Sequence, residues 1–124
     1  MTTNEQKSLI FNSRDELLRV KIDRIVYFEA NGNYTYVVTK NKLKGVLGMS
    51  LIKTEQTLTQ QLGKDARMFM RVGKRFIVNY EYVYSINLGK QRLVLSDLKH
   101  FAYQLPVSKE ALRCMKNLLT QKKV

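Results

Sequence analysis

Apolar positions along the chain fall mostly in short runs broken by turn residues, the spacing of strands rather than of long helices. Ser8–Asn12 is one such run. Residues 16–22 alternate, with Leu18, Val20 and Ile22 on one face and Leu17, Arg19 and Lys21 on the other. Both segments are expected to be strands, with a brief turn at Asp23-Arg24. Residues 25–30 (Ile-Val-Tyr-Phe-Glu-Ala) run into Asn31-Gly32-Asn33, the strongest hairpin signal in the chain. The return strand is β-branched and aromatic through Tyr34, Thr35, Tyr36, Val37 and Val38, and Asn41-Lys42 turns it into residues 43–47. This pattern predicts a meander.

The period then changes twice to that of a helix. Ser50 is placed to cap free N–H groups, Leu51, Glu55, Leu58 and Leu62 share a stripe, and Gly63 ends it. Glu55 in that stripe marks a half-buried surface helix. Ser108 caps the second helix, where Ala111, Leu112, Met115, Leu118 and Leu119 recur at i, i+3, i+4 and i+7. Glu110 suits its N-terminal dipole, and Lys109, Arg113 and Lys116 fill the opposite face.

Between the helices, residues 68–72 and Phe76-Ile77-Val78 flank a Gly73-Lys74-Arg75 corner. Gly73 permits a tight bend with positive φ. Lys74 and Arg75 cannot be buried unpaired, so the corner should hold both cations in solvent. Residues 83–88 and 92–96 form a hairpin about Gly89-Lys90-Gln91. Asp97-Leu98-Lys99 is expected to turn into a strand over 100–105, which Pro106 stops. The order of meander, helix, hairpins and helix gives a mostly β (α+β) fold. No repeat or linker interrupts it.

At 124 residues the chain is one domain. No apolar run approaches the roughly 18–20 residues of a membrane span, so no membrane role is expected. The polar first seven residues lack a signal-peptide core and read as a disordered leader. Cys114 is the single cysteine. It cannot form an internal disulfide, which fits a reducing cytosol, and its neighbours Leu112, Met115 and Leu118 suggest a place near the core.

Charge changes the picture most. Lys and Arg number 22 against 10 Asp and Glu, a net +12, which favours a polyanionic partner. Arg67, Arg71, Lys74 and Arg75 fall in an acid-free window from 66 to 80. Lys40, Lys42 and Lys44 make a second cluster, and Lys109, Arg113 and Lys116 a third. One such cluster is usually a solvated face; three on a small domain suggest phosphate contacts. Chemistry of other kinds has little to stand on. One histidine and one cysteine cannot hold zinc by themselves. The acids are scattered, and neither GxGxxG nor GxxxxGK[ST] occurs. We therefore expect no enzyme, metal or cofactor.

Three stretches resemble the LytTR family of bacterial DNA-binding domains: residues 25–34 (IVYFEANGNY), residues 69–79 (FMRVGKRFIVN) and residues 105–110 (LPVSKE). The resemblance covers about residues 17–119. It implies an elongated stack of small, mainly antiparallel β-sheets with one or two helices. It divides the chain into residues 1–16 (leader and first strand), 17–120 (the DNA-binding domain) and 121–124 (a basic tail). It further implies a cytoplasmic, sequence-specific transcription regulator that docks loops into successive major grooves of double-stranded DNA. Direct-repeat sites would hold two protomers, a homodimer on DNA.

Carried over by position, Asn31, Asn33 and Tyr34, the corner with Lys74 and Arg75, and Ser108 with Lys109 would face DNA. Lys74 and Lys109 stand where the family places base contacts. Arg71, Arg75 and Arg113 suit phosphate contacts, Arg71 and Arg75 also structural ones, and Asn79 matches a structural asparagine. The chain departs from the family at Gly73, where many members have His, and in carrying no receiver domain. Two alternatives follow: a protein-interaction module that has lost specific DNA binding, or an RNA or single-strand binder using exposed Tyr34, Tyr36 and Tyr103.

Overall fold

The hydrophobic runs of the chain become three antiparallel sheets stacked around two cores. The computed structural model describes residues 7–121. In order these are β1 (Ser8–Asn12), β2 (Leu17–Lys21), β3 (Ile25–Asn31), β4 (Tyr34–Thr39), β5 (Lys44–Leu47) and α1 (Leu51–Leu62). Then come β6 (Phe69–Val72), β7 (Phe76–Asn79), β8 (Val83–Asn87), β9 (Arg92–Ser96), β10 (Ala102–Pro106) and α2 (Lys109–Gln121). The central sheet has the order β5-β4-β3-β7-β6, flanked by β1-β2 and by β10-β9-β8. The predicted meander is β3-β4-β5.

The central sheet is buried on both faces, which explains its nearly continuous apolar strands. Along β6 and β7, Phe69 and Ile77 enter one core, while Met70, Val72, Phe76 and Val78 enter the other. In β3 the register shifts between Ile25 and Tyr27. That bulge lets Val26 and Tyr27 both face the second core, while Ile25 and Phe28 face the first. The first core is closed by Leu9 and Phe11 of β1 and by Leu51, Leu58 and Leu62 of α1. The second is closed by Leu93 and Leu95 of β9, Leu105 of β10, and Leu112 and Met115 of α2. Each such side chain contributes roughly 1.5–3 kcal/mol, so these cores hold the fold.

Both helices begin as predicted. Ser50 Oγ accepts the Lys53 N–H at 3.2 Å, and Ser108 Oγ accepts that of Ala111 at 3.2 Å. Gly63 closes α1 with φ +58°.

Several expectations are corrected. Thr54, not Glu55, completes the buried stripe of α1, because its hydroxyl can donate back to Ser50 O at 2.9 Å. The strand expected from residue 100 starts at Ala102. Residues 97–100 instead fold around the Asp97 carboxylate, which accepts the N–H groups of Lys99, His100 and Phe101 at 3.0, 2.7 and 3.2 Å. Cys114 is exposed rather than near the core, since Leu112 and Met115 define the buried edge of α2. Lys7, expected in the leader, pairs with Asp65, and its carbonyl accepts the Ile22 N–H at 3.1 Å. The rest of the leader (1–6) and the tail lysines 122 and 123 lie outside the described residues.

Candidate nucleic-acid interface

Turn chemistry and strand pairing bring the three sequence-predicted segments to one end of the central sheet. The Gly32-Asn33 turn joins Asn31 of β3 to Tyr34 of β4, with Gly32 at φ +63°. Phe76, the first residue of β7, lies opposite Glu29 of β3. The Gly73-Lys74-Arg75 corner therefore runs beside the end of β3, and the Ala30 N–H donates to Arg75 O at 2.8 Å. Gly73 has φ +61°, and a Cβ there would stand 3.6 Å from the Ala111 Cβ of α2. The corner thus abuts the first turn of α2, across a groove of about 590 Å³ floored by Val72, Phe76, Val107 and Met115.

The cations at this end are in two different states. Arg71 donates from Nη1 to Glu55 Oε1 at 2.8 Å and from Nε to Gly73 O at 3.1 Å. Arg75 donates from Nε and Nη2 to Glu29 Oε2 at 3.0 and 2.6 Å, with its guanidinium 5.2 Å from the Phe76 ring centre. Lys74, Lys109 and Arg113 are exposed, and none has a carboxylate partner among the described residues. Glu29 was not singled out from the sequence, and Glu55 was read only as an acid in the α1 stripe, not as a partner of Arg71. The available signal was an acid inside an otherwise apolar strand or stripe, which calls for a cation.

The remaining predicted residues have clear places. Asn31 and Asn33 are exposed, and Asn31 Nδ2 donates to Tyr36 OH at 2.6 Å. Tyr34 is 55% exposed. Ser108 is exposed, with its hydroxyl engaged as the α2 cap. Asn79 is fully buried; Nδ2 donates to Ile25 O at 3.0 Å, and Oδ1 accepts the Glu81 N–H at 3.1 Å.

Two expected groupings do not form. The lysine cluster at 40–44 sits toward the opposite end of β4, where Lys40 lies 5.8 Å from the Tyr82 ring centre and Lys44 lies 4.4 Å from that of Tyr36. Tyr36 and Tyr103 are half-buried rather than exposed. Tyr103 packs 5.4 Å from both Tyr27 and Phe101. Burial pushes the Tyr103 hydroxyl up, and that of Tyr27 to about 12. Tyr27 and Tyr103 pack at the second core, so of Tyr34, Tyr36 and Tyr103 only Tyr34 is well exposed.

Among the described residues, no group of three or more His, Cys, Asp or Glu is placed to hold a metal. No helix there is long and apolar enough to cross a membrane.

Comparison with known proteins agrees with this architecture. No curated protein matches the chain. Among solved structures, it is similar to the LytTr DNA-binding domain of a methyl-accepting/DNA response regulator from Bacillus cereus. The two share 26% identity and a TM-score of 0.64 over 90% of this chain and 95% of that one. A family model for the LytTr DNA-binding domain matches residues 15–120. The chain belongs to the LytTR family of DNA-binding domains.

Proposed function

We propose that the chain is a cytoplasmic transcription regulator that reads double-stranded DNA sequence-specifically through the loop end of its central sheet. Residues 17–120 are the DNA-binding domain, residues 1–16 add the leader and first strand, and 121–124 form a basic tail. The loop at 31–34, the Lys74 corner and the start of α2 dock into successive major grooves. Lys74 and Lys109 donate to guanine O6 and N7, while Arg113 contacts phosphate. Two protomers occupy direct-repeat half-sites. The relative from Bacillus cereus is described as part of a response regulator, and a similar regulatory setting suits this chain.

The supporting observation is the convergence of three sequence-distant segments at one end, where Lys74 and Lys109 have no carboxylate partner among the described residues. The test is selection of bound duplexes from random double-stranded DNA at about 0.15 M salt, where nonspecific attraction is already screened. Enrichment of a repeated motif, with half-sites about 10 base pairs apart, is expected for protomers on one face of the duplex. No enrichment would contradict specific readout.

A further inference from the structure

The corner at the DNA-facing end carries three cations, yet two of them are turned back onto the protein. On one face of the sheet, Arg71 reaches Glu55 of α1 with Nη1 and its own turn's Gly73 carbonyl with Nε. Beyond the other strand of the hairpin, Arg75 clasps Glu29 of β3 with two N–H groups, and its carbonyl is held by the Ala30 N–H. The carbonyls on both sides of Lys74 are therefore anchored: that of Gly73 by the Arg71 guanidinium, which Glu55 also holds, and that of Arg75 by the Ala30 N–H, while Glu29 holds the Arg75 side chain.

Glu29 has only 18% of its side chain exposed. This acid is turned inward toward Arg75 rather than left in solvent. Part-exposed ion pairs add little to the stability of a fold that two apolar cores already hold. What these pairs do fix is direction. A guanidinium offers a rigid fork, and holding it at two points restricts the backbone it is attached to.

We propose that Glu29 and Glu55 are positioning residues for DNA readout. They hold Arg75 and Arg71 against the protein, fix the corner, and leave Lys74 as its single free cation. The proposal rests on the DNA-binding reading above and deepens it. It also makes a prediction of opposite sign to simple electrostatics. Removing a carboxylate from a basic surface should raise affinity for every duplex. Removing a brace should instead lower affinity for the preferred duplex and leave random duplex bound as well or better.

The experiment compares wild type with Glu55→Gln, Glu29→Gln and Arg71→Lys in the full chain, after melting temperatures confirm that each is folded. Two readouts are taken: binding to the selected and to a random duplex, and amide hydrogen exchange across residues 69–79 and at Ala30. Arg71→Lys keeps the charge but loses the fork. The expected result is about tenfold weaker binding to the selected duplex, as for loss of a charge-assisted hydrogen bond, unchanged or tighter binding to random duplex, and faster exchange at the corner. Wild-type exchange in all three variants overturns the proposal. So does an Arg71→Lys variant that binds both duplexes like wild type. If wild type selects no duplex, the DNA reading itself fails, and positioning for readout fails with it; the exchange data then show whether the brace exists in the free protein.

Discussion

The Ala30 N–H donates to the Arg75 carbonyl at 2.8 Å, joining the end of β3 to the corner between β6 and β7. One backbone bond thus links the Asn31-Gly32-Asn33 hairpin to the Gly73-Lys74-Arg75 corner. The two turns, far apart in sequence, present their side chains from one rigid edge. Rigidity matters because a cation that reads a base edge must be held in place, whereas a phosphate contact needs only proximity.

Two of the exposed cations of α2, Lys109 and Arg113, should separate on this basis. Lys109→Ala is expected to relax preference at one base pair by about 1–3 kcal/mol, while Arg113→Ala weakens all duplexes together and lowers the salt slope by about 1. Anisotropy titrations at several salt concentrations, on the preferred site and on its single-base variants, would separate the two. Identical behaviour of both variants would contradict the assignment.

Gly73 stands at φ +61° with ordinary room for a Cβ. The cost of Gly73→Ala is therefore conformational, about 1–2 kcal/mol in urea unfolding. Gly48, with no positive φ and open space where a Cβ would lie, is the matched control. Gly48→Ala should change stability by less than about 0.5 kcal/mol.

Asn79 is a structural residue by its contacts. Asn79→Ala leaves the Ile25 carbonyl and the Glu81 N–H without their partner. The expected cost is about 1–3 kcal/mol, read by urea or thermal unfolding. The preferred DNA sequence of the folded fraction should be unchanged.

Acid should find the turn at Asp97. Some desolvation opposes ionisation of its carboxyl. It is outweighed by the N–H groups of His100 and Lys99, the His100 ring at 2.8 Å and the Phe101 N–H, so the carboxyl sits well below its usual range. A carboxylate lowered on folding contributes stability above its unfolded pKa, near 3.9, and loses it as pH falls toward the folded value. The stability difference between wild type and Asp97→Asn should be constant above about pH 5 and shrink below about pH 4. Urea unfolding between neutral pH and pH 3 measures it; a difference independent of pH would contradict the account.

Local chemistry was legible in the sequence where one residue type meets one backbone requirement. Asn31-Gly32-Asn33 had to turn, Ser50 and Ser108 had to cap, and Gly73 was free to take a positive φ. The runs at 68–72 and 76–78 were recognisable as buried strands because they are rich in Phe, Met, Ile and Val. Long-range partners were not legible. Nothing local says that β7 lies beside β3, and so nothing local pairs Arg75 with Glu29 or Arg71 with Glu55. The turn at 97–99 was read, but its extension through His100 was missed for a related reason: the donors that fold it around the Asp97 carboxylate are backbone N–H groups that no side-chain pattern reveals. The lysines at 40–44 were grouped with the corner by charge alone, and strand direction separates them.

The most direct test of the account is to repeat the duplex selection with Lys74→Ala beside wild type. If the corner reads sequence, the variant loses preference at one base pair of each half-site, by about 1–3 kcal/mol, and keeps the others. A profile identical to wild type, with or without a uniform fall in affinity, would show that Lys74 reads no base and would contradict the central claim.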